Sequence, residues 1–324
     1  MSSNRAELDD SQPGSTEAHQ TLRVALVQAA PARYGRDGYP ESSEDDIQEF
    51  VSHTKAVVDE CHPDMVVFPE LHLFGCDDED LEVQNQRLRD AARPASELID
   101  VLGAAAAEIG TWLIPGSVCE RGDNGELFNT AFVFDPHGQV VASYRKMFPW
   151  RPTEPYSPGA EPCTFEIPGW GRLGLNICYD NWWPELSRHF GWLGVDAVIN
   201  IVKTTTPDRE QELVVARANS ITNQFYTLSV NAAAPIGMGR SIIVDPQGHV
   251  LDQADAEPTL LVADVDRAEV QRAWTEGVEG SVFPWNHFLD GDEPISLPLY
   301  SGAIQPTTWH HGAGRPTSSK HGGH

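Results

Sequence analysis

The sequence predicts an α/β fold, on three observations. Short β-rich apolar runs recur along the chain, amphipathic helical stretches fall between them, and no low-complexity linker divides the 324 residues. Buried strands interleaved with amphipathic helices bury their apolar faces when helices cover sheets. One compact domain is expected over 21–275, long enough to bury a substantial core without disulfides or metal. Residues 1–20, rich in Ser, Glu, Asp and Gln, are expected to form a disordered tail. Past about 275 the chain turns to Gly, Pro, Thr and His. This extension, 276–324, is expected to wrap a surface, contact a partner subunit or stay disordered.

Each element has its own signal. Residues 22–27 form the first apolar run. Ile47, Phe50, Val51, Val57 and Val58 recur at helical spacing and predict a helix over 44–61, stopped at His62-Pro63. A buried strand over 65–68 is closed by Pro69-Glu70. An alanine-rich helical region covers 81–109, interrupted at Pro94. Strands come next over 111–114, 130–134 and 140–144, the last two joined by the turn Asp135-Pro136-His137-Gly138. Later strands are expected over 173–178, 197–201, 226–230 and 241–244, with helices over 184–193 and 208–223. Asp245-Pro246-Gln247-Gly248 is a second hairpin turn, and no tandem repeat is present.

Composition narrows the function classes. With 22 basic and 48 acidic residues the formal charge is -26, which repels phosphate backbones and argues against a nucleic-acid partner. Solubility is the simpler reason for such a surface. Cys61, Cys76, Cys119, Cys163 and Cys178 lack metal-type spacing, and their odd number fits reduced thiols in the cytoplasm. Residues 1–20 hold no apolar signal-peptide core, and no stretch approaches the roughly twenty apolar residues of a membrane span. His310, His311, His321 and His324 are irregularly spaced, which favours solvated histidines over metal ligands.

Three residues stand at predicted strand ends, where α/β folds build their sites. Glu70 follows 65–68; a partly buried carboxylate there moves protons near neutral pH, and a loop cap is the competing reading. Lys146 follows 140–144 and stabilises an oxyanion in one reading, or lies on the surface with its stem over apolar neighbours in the other. Cys178 ends 173–178 where a helix begins. Backbone N–H groups and the helix dipole there favour thiolate and supply an oxyanion hole, against the commoner fate of a buried structural cysteine. Together they supply the nucleophile, proton carrier and positive group that attack on an amide requires.

The order Glu70, Lys146, Cys178 resembles the nitrilase (carbon–nitrogen hydrolase) superfamily. The resemblance rests on FPELHLFG around Glu70, YRKMFPWRPTEPYSPG around Lys146, GLNICYDNWWPE around Cys178 and GRSIIVDPQGHVL from Gly239, and covers about 22–270. It implies a four-layer αββα sandwich, pairing into homodimers or higher homo-oligomers, and a cofactor-free, metal-free Glu-Lys-Cys mechanism. Glu154 matches a second glutamate that orients the site in that family. The resemblance further implies that Glu70 moves the proton, Cys178 attacks, and Lys146 with the Tyr179 backbone N–H holds the oxyanion.

Cys178-Tyr179-Asp180 looks like the amidase-type branches, since nitrilases proper usually carry Cys-Trp-Glu there. Asn181-Trp182-Trp183 stands where many carbamoyl-amino-acid hydrolases have a carboxylate-binding arginine. Trp150, Tyr156, Trp182 and Trp183 are candidates for an apolar wall against an uncharged acyl group, or for core. A small-molecule carboxamide, simple or aryl-substituted, is therefore the expected substrate. An N-carbamoyl-amine hydrolase, a nitrilase and an acyltransferase are the alternatives.

Overall fold

The computed structural model describes residues 21–31, 44–73, 81–297, 302–304, 306–308 and 310–314. The expected N-terminal tail, Cys76, His321 and His324 lie outside the described residues. In chain order the elements are β1 (Thr21–Gln28), α1 (Glu44–Cys61), β2 (Met65–Val67), α2 (Leu81–Ala91), α3 (Ala95–Ile109), β3 (Trp112–Ile114), β4 (Ser117–Arg121), β5 (Leu127–Phe134) and β6 (Val140–Arg145). Next come β7 (Cys163–Ile167), β8 (Gly171–Ile177), a 3-10 turn (Cys178–Trp182), α4 (Pro184–Trp192), β9 (Ala197–Val202), α5 (Arg209–Asn223) and β10 (Tyr226–Asn231). The chain closes with β11 (Ile242–Val244), β12 (Val250–Gln253), β13 (Thr259–Asp266), α6 (Arg267–Glu276) and a small hairpin of β14 (Ile295–Leu297) and β15 (Gly302–Ile304).

Two sheets form the centre. The first has seven strands in the order β13-β1-β2-β3-β5-β4, with β6 also on β5; β1, β2 and β3 are parallel. The second has six in the order β12-β11-β10-β9-β8-β7, with β8, β9 and β10 parallel. Side chains alternate between the two faces of a strand, and β1 uses both. Leu22, Val24 and Leu26 point between the sheets, meeting Leu173, Leu175, Ile199 and Leu228 from the second. Ala25 and Val27 point outward, under Phe50 and Val51 of α1 and Leu98 and Leu102 of α3.

The second sheet is covered likewise. Leu186 and Phe190 of α4 pack on Val198, and Leu213 and Ala216 of α5 pack on Ile242 and Val244. The result is helix, sheet, sheet, helix: the four-layer αββα sandwich.

The helical pattern over 81–109 is two helices, α2 and α3, separated at Pro94. The strands β4, β7, β12 and β13, the helix α6 and the final hairpin extend the elements read from sequence. In the C-terminal extension Trp285 is 1% exposed, and its indole N–H donates to the Asn223 carbonyl at 3.2 Å. That side chain holds the extension against the end of α5.

Candidate active site

Glu70, Lys146 and Cys178 arrive at one place because β2, β6 and β8 end there. The loop after β2 is set by close backbone approach. Gly116 has φ +92°, and a Cβ on it would stand 2.1 Å from the Pro69 carbonyl oxygen. A glycine is required at such a position. The Leu71 N–H donates to Ser117 Oγ at 3.1 Å, fixing the same loop.

Glu70 is 2% exposed, and both its oxygens are occupied. Oε1 accepts from Asn129 Nδ2 at 2.7 Å and Lys146 Nζ at 3.0 Å; Oε2 accepts from the Lys203 backbone N–H at 2.9 Å. Lys146 is wholly buried, and Nζ also reaches Glu154 Oε1 at 2.8 Å and Oε2 at 3.0 Å. Glu154 is steadied by the Trp150 N–H at 2.8 Å. Burial alone would depress the Lys146 pKa, but the charges of Glu70 and Glu154 outweigh it and raise it well above the usual range. A buried cation stays charged only when paired in this way.

Cys178 takes φ +50°, in the left-handed region that non-glycine residues rarely adopt. Buried Asp180 holds this bend, accepting from Ile177 N–H at 2.9 Å, Phe148 N–H at 2.8 Å and Tyr144 Oη at 2.7 Å. Burial pushes the Asp180 carboxyl up to about 6 against the pull of Lys146 and those hydrogen bonds. Cys178 Sγ lies 3.8 Å from Thr204 Oγ1. Burial, and after it the charge of Glu70, raises the thiol pKa well above its ordinary value, and Lys146 opposes this. The expectation that the turn favours thiolate is thus corrected. The strand runs into a five-residue 3-10 turn, and burial with the surrounding carboxylates favours the protonated thiol.

A cavity of about 50 Å³ opens at the thiol, lined by Trp150, Glu154, Cys178, Tyr179, Thr204 and Glu212 among others. Of the expected aromatic wall, Trp150 alone is among the residues that line it; Tyr179, expected at the oxyanion, lines it as well. Trp182 stands behind, its indole N–H donating to Glu212 Oε1 at 3.3 Å. Trp183 stacks on Phe148 with centroids 4.2 Å apart, and Tyr156 is buried against Cys119 at 3.4 Å; neither lines the cavity.

Residues 23–274 match the family model described as Carbon-nitrogen hydrolase. The chain belongs to the carbon–nitrogen hydrolase family. Formamidases from Bacillus thuringiensis (strain Al Hakam) and Bacillus cereus (strain AH820) are 35% identical over 154 residues. That alignment covers 45% of this chain and 46% of each relative, so the chain spans about half the length of the curated relatives it matches.

Solved structures share the fold. A member of branch 10 of the nitrilase superfamily from Saccharomyces cerevisiae has TM-score 0.68 at 23% identity, covering 81% of this chain and 96% of that one. A mutant amidase from Nesterenkonia sp. AN1, with the acetamide moiety of fluoroacetamide added covalently at its active-site cysteine, has TM-score 0.65 at 23% identity. It too covers 81% of this chain and 96% of that one.

Among the residues of this carbon–nitrogen hydrolase's site, sequence reasoning did not single out Asn129, Thr204, Arg209 and Glu212. Each had a signal. Asn129 interrupts the apolar run Leu127-Phe128-Asn129-Thr130-Ala131-Phe132. Thr204 follows the strand ending at Val202, by the strand-end logic that singled out Glu70. Arg209 and Glu212 stand three apart at the start of α5, where one helix face brings both together.

Proposed function

We propose that this carbon–nitrogen hydrolase cleaves a small, uncharged carboxamide to the acid and ammonia through a thioester on Cys178. The observation that carries the proposal is the Cys178 thiol facing a cavity of about 50 Å³ beside the buried Glu70–Lys146–Glu154 array. Sites for drug-sized ligands run to roughly 300–1,000 Å³, so this space suits a few heavy atoms rather than an aryl group. The formamidase relatives support the same substrate size.

In this reading Glu70 accepts the thiol proton and the Cys178 sulfur adds to the carbonyl carbon. The ammonium of Lys146 and the Tyr179 backbone N–H stabilise the oxyanion. Collapse breaks the C–N bond, Glu70 returns its proton to the departing nitrogen, and ammonia leaves. Water then gives a proton to Glu70 and adds to the thioester. The C–S bond breaks, the acid departs, and the thiol regains its proton. Glu154 holds Lys146 charged and in place throughout.

The same reading takes the enzyme as a cytoplasmic homodimer or higher homo-oligomer. Among the described residues no helix is long and apolar enough to cross a membrane.

The test is ammonia release from formamide, acetamide, benzamide, acetonitrile and an N-carbamoyl amine, with Cys178→Ala as control. Formamide and acetamide should turn over, benzamide and acetonitrile should be slower by about tenfold or more, and the variant should be inactive. Turnover of the nitrile or the carbamoyl compound above every amide would overturn the proposal.

A further inference from the structure

The Cys178 thiol has its hydrogen-bonding contact with Thr204, an element the reaction above does not use. Sγ is 3.8 Å from Thr204 Oγ1, and that oxygen stands 2.9 and 2.8 Å from the two oxygens of Glu212. A threonine hydroxyl has one proton and two lone pairs. The carboxylate takes the proton, so a lone pair is left for Thr204 to present to the thiol.

The arm behind Thr204 is rigid. Its backbone N–H donates to Asn231 Oδ1 at 2.9 Å. Glu212 is buried and accepts from Arg209 at 3.0 Å and from the Trp182 indole at 3.3 Å. Arg209 is buried in turn, donating from Nε to the Gly239 carbonyl at 3.2 Å and from Nη2 to the Arg240 carbonyl at 2.9 Å. A carboxylate fixed on three sides does not turn to release the hydroxyl proton.

We propose that Thr204 and Glu212 are positioning residues for the nucleophile: the hydroxyl, fixed as a donor to Glu212, holds the Cys178 thiol protonated and in one rotamer until a base removes the proton. This rests on Cys178 being the nucleophile. The charged groups around the thiol agree with the direction. Glu70, Glu212 and Glu154 hold the proton on sulfur, while Lys146 favours its loss. Arg209, at the start of α5, also interacts electrostatically with the Cys178 sulfur. The arm therefore sets the pH at which thiolate appears, separately from the Glu70–Lys146 side.

The test reads Cys178 itself and needs no amide turnover, so it stands or falls apart from the substrate assignment. The rate of iodoacetamide alkylation at Cys178 is followed by peptide mass spectrometry against pH. Thr204→Val removes the acceptor, and Glu212→Gln removes the charge while keeping an acceptor for the hydroxyl. Both should move the midpoint down by about half a pH unit or more, and Thr204→Ser should keep the wild-type midpoint. Thr204→Val decides alone if Glu212→Gln does not fold, since it leaves the Arg209–Glu212 pair intact. A Thr204→Val midpoint at or above wild type, or a Thr204→Ser midpoint displaced as far as that of the valine variant, overturns the proposal.

Discussion

Lys146→Met tests how the site is held together. In the wild type one ammonium serves two carboxylates, at 3.0 Å to Glu70 and 2.8 Å to Glu154. At an effective dielectric near 20, each contact is worth about 6 kcal/mol before desolvation. Removing one partner of a buried pair costs about 3–5 kcal/mol, because the remaining charge is stranded. Methionine fills most of the space, so packing loss is minor and the stranded charge dominates. At about 1.5–2 °C per kcal/mol for a chain of this length, the melting temperature should fall by about 5–10 °C at pH 8.

The pH dependence has a definite sign. The raised pKa of Lys146 gives stability fully present below about 10.4 and lost only as pH rises through the higher folded value. Between pH 5 and 8 the lysine is charged in folded and unfolded chains alike. The lysine's own titration therefore adds no change to the gap between wild type and variant over that range. Scanning calorimetry at pH 5, 6.5 and 8 measures it. A loss under about 2 °C at pH 8 would refute the reasoning.

Two other outcomes are expected. Buried His72 is lowered to about 3 by burial, with His53 adding to the effect, so its contribution to stability is present above about 6.5 and is lost as pH falls toward 3. Urea unfolding of His72→Phe should accordingly gain about 2 kcal/mol on wild type between pH 7.5 and pH 5, and an equal difference at both pH values would exclude it. Trp150 is 43% exposed at the cavity wall, and if it limits the acyl group, Trp150→Ala should raise kcat/KM for butyramide relative to formamide by about tenfold, whereas an unchanged ratio would remove Trp150 from specificity.

Most of the central architecture could be read in the sequence, because buried parallel strands are continuous apolar runs. Ala197-Val198-Ile199-Asn200-Ile201 and Met65-Val66-Val67 announce themselves. Edge strands do not. In β13 buried Leu261 and Val265 alternate with exposed or half-buried positions, and Asp264 is there to pair Arg23 across the edge. β12 is exposed along its length and owes its form to pairing with β11. The strand-end positions of Glu70, Lys146 and Cys178 were legible for a related reason, as polar residues directly after apolar runs. Thr204, Glu212 and Arg209 carry local signals, but nothing in those signals ties them to Cys178. Their relation to the thiol is a contact between a loop and a helix start, and spacing along the chain does not encode it. The state of the thiol was misread because dipole arguments see only the local turn, whereas the carboxylates that oppose ionisation come from β2, the 146–154 loop and α5.

Glu70 and Lys146 are carried by strands of the first sheet, and Cys178 and Thr204 by the carboxyl ends of strands in the second. On the proposed mechanism, neither sheet therefore holds a complete set of reacting groups. A chain divided in the 147–162 connection would yield two fragments, one bearing Glu70 and Lys146, the other bearing Cys178 together with β13, the edge strand of the first sheet. Turnover would return only when the apolar faces of the fragments close on each other, so activity would serve as a direct gauge of how faithfully the two sheets come into register.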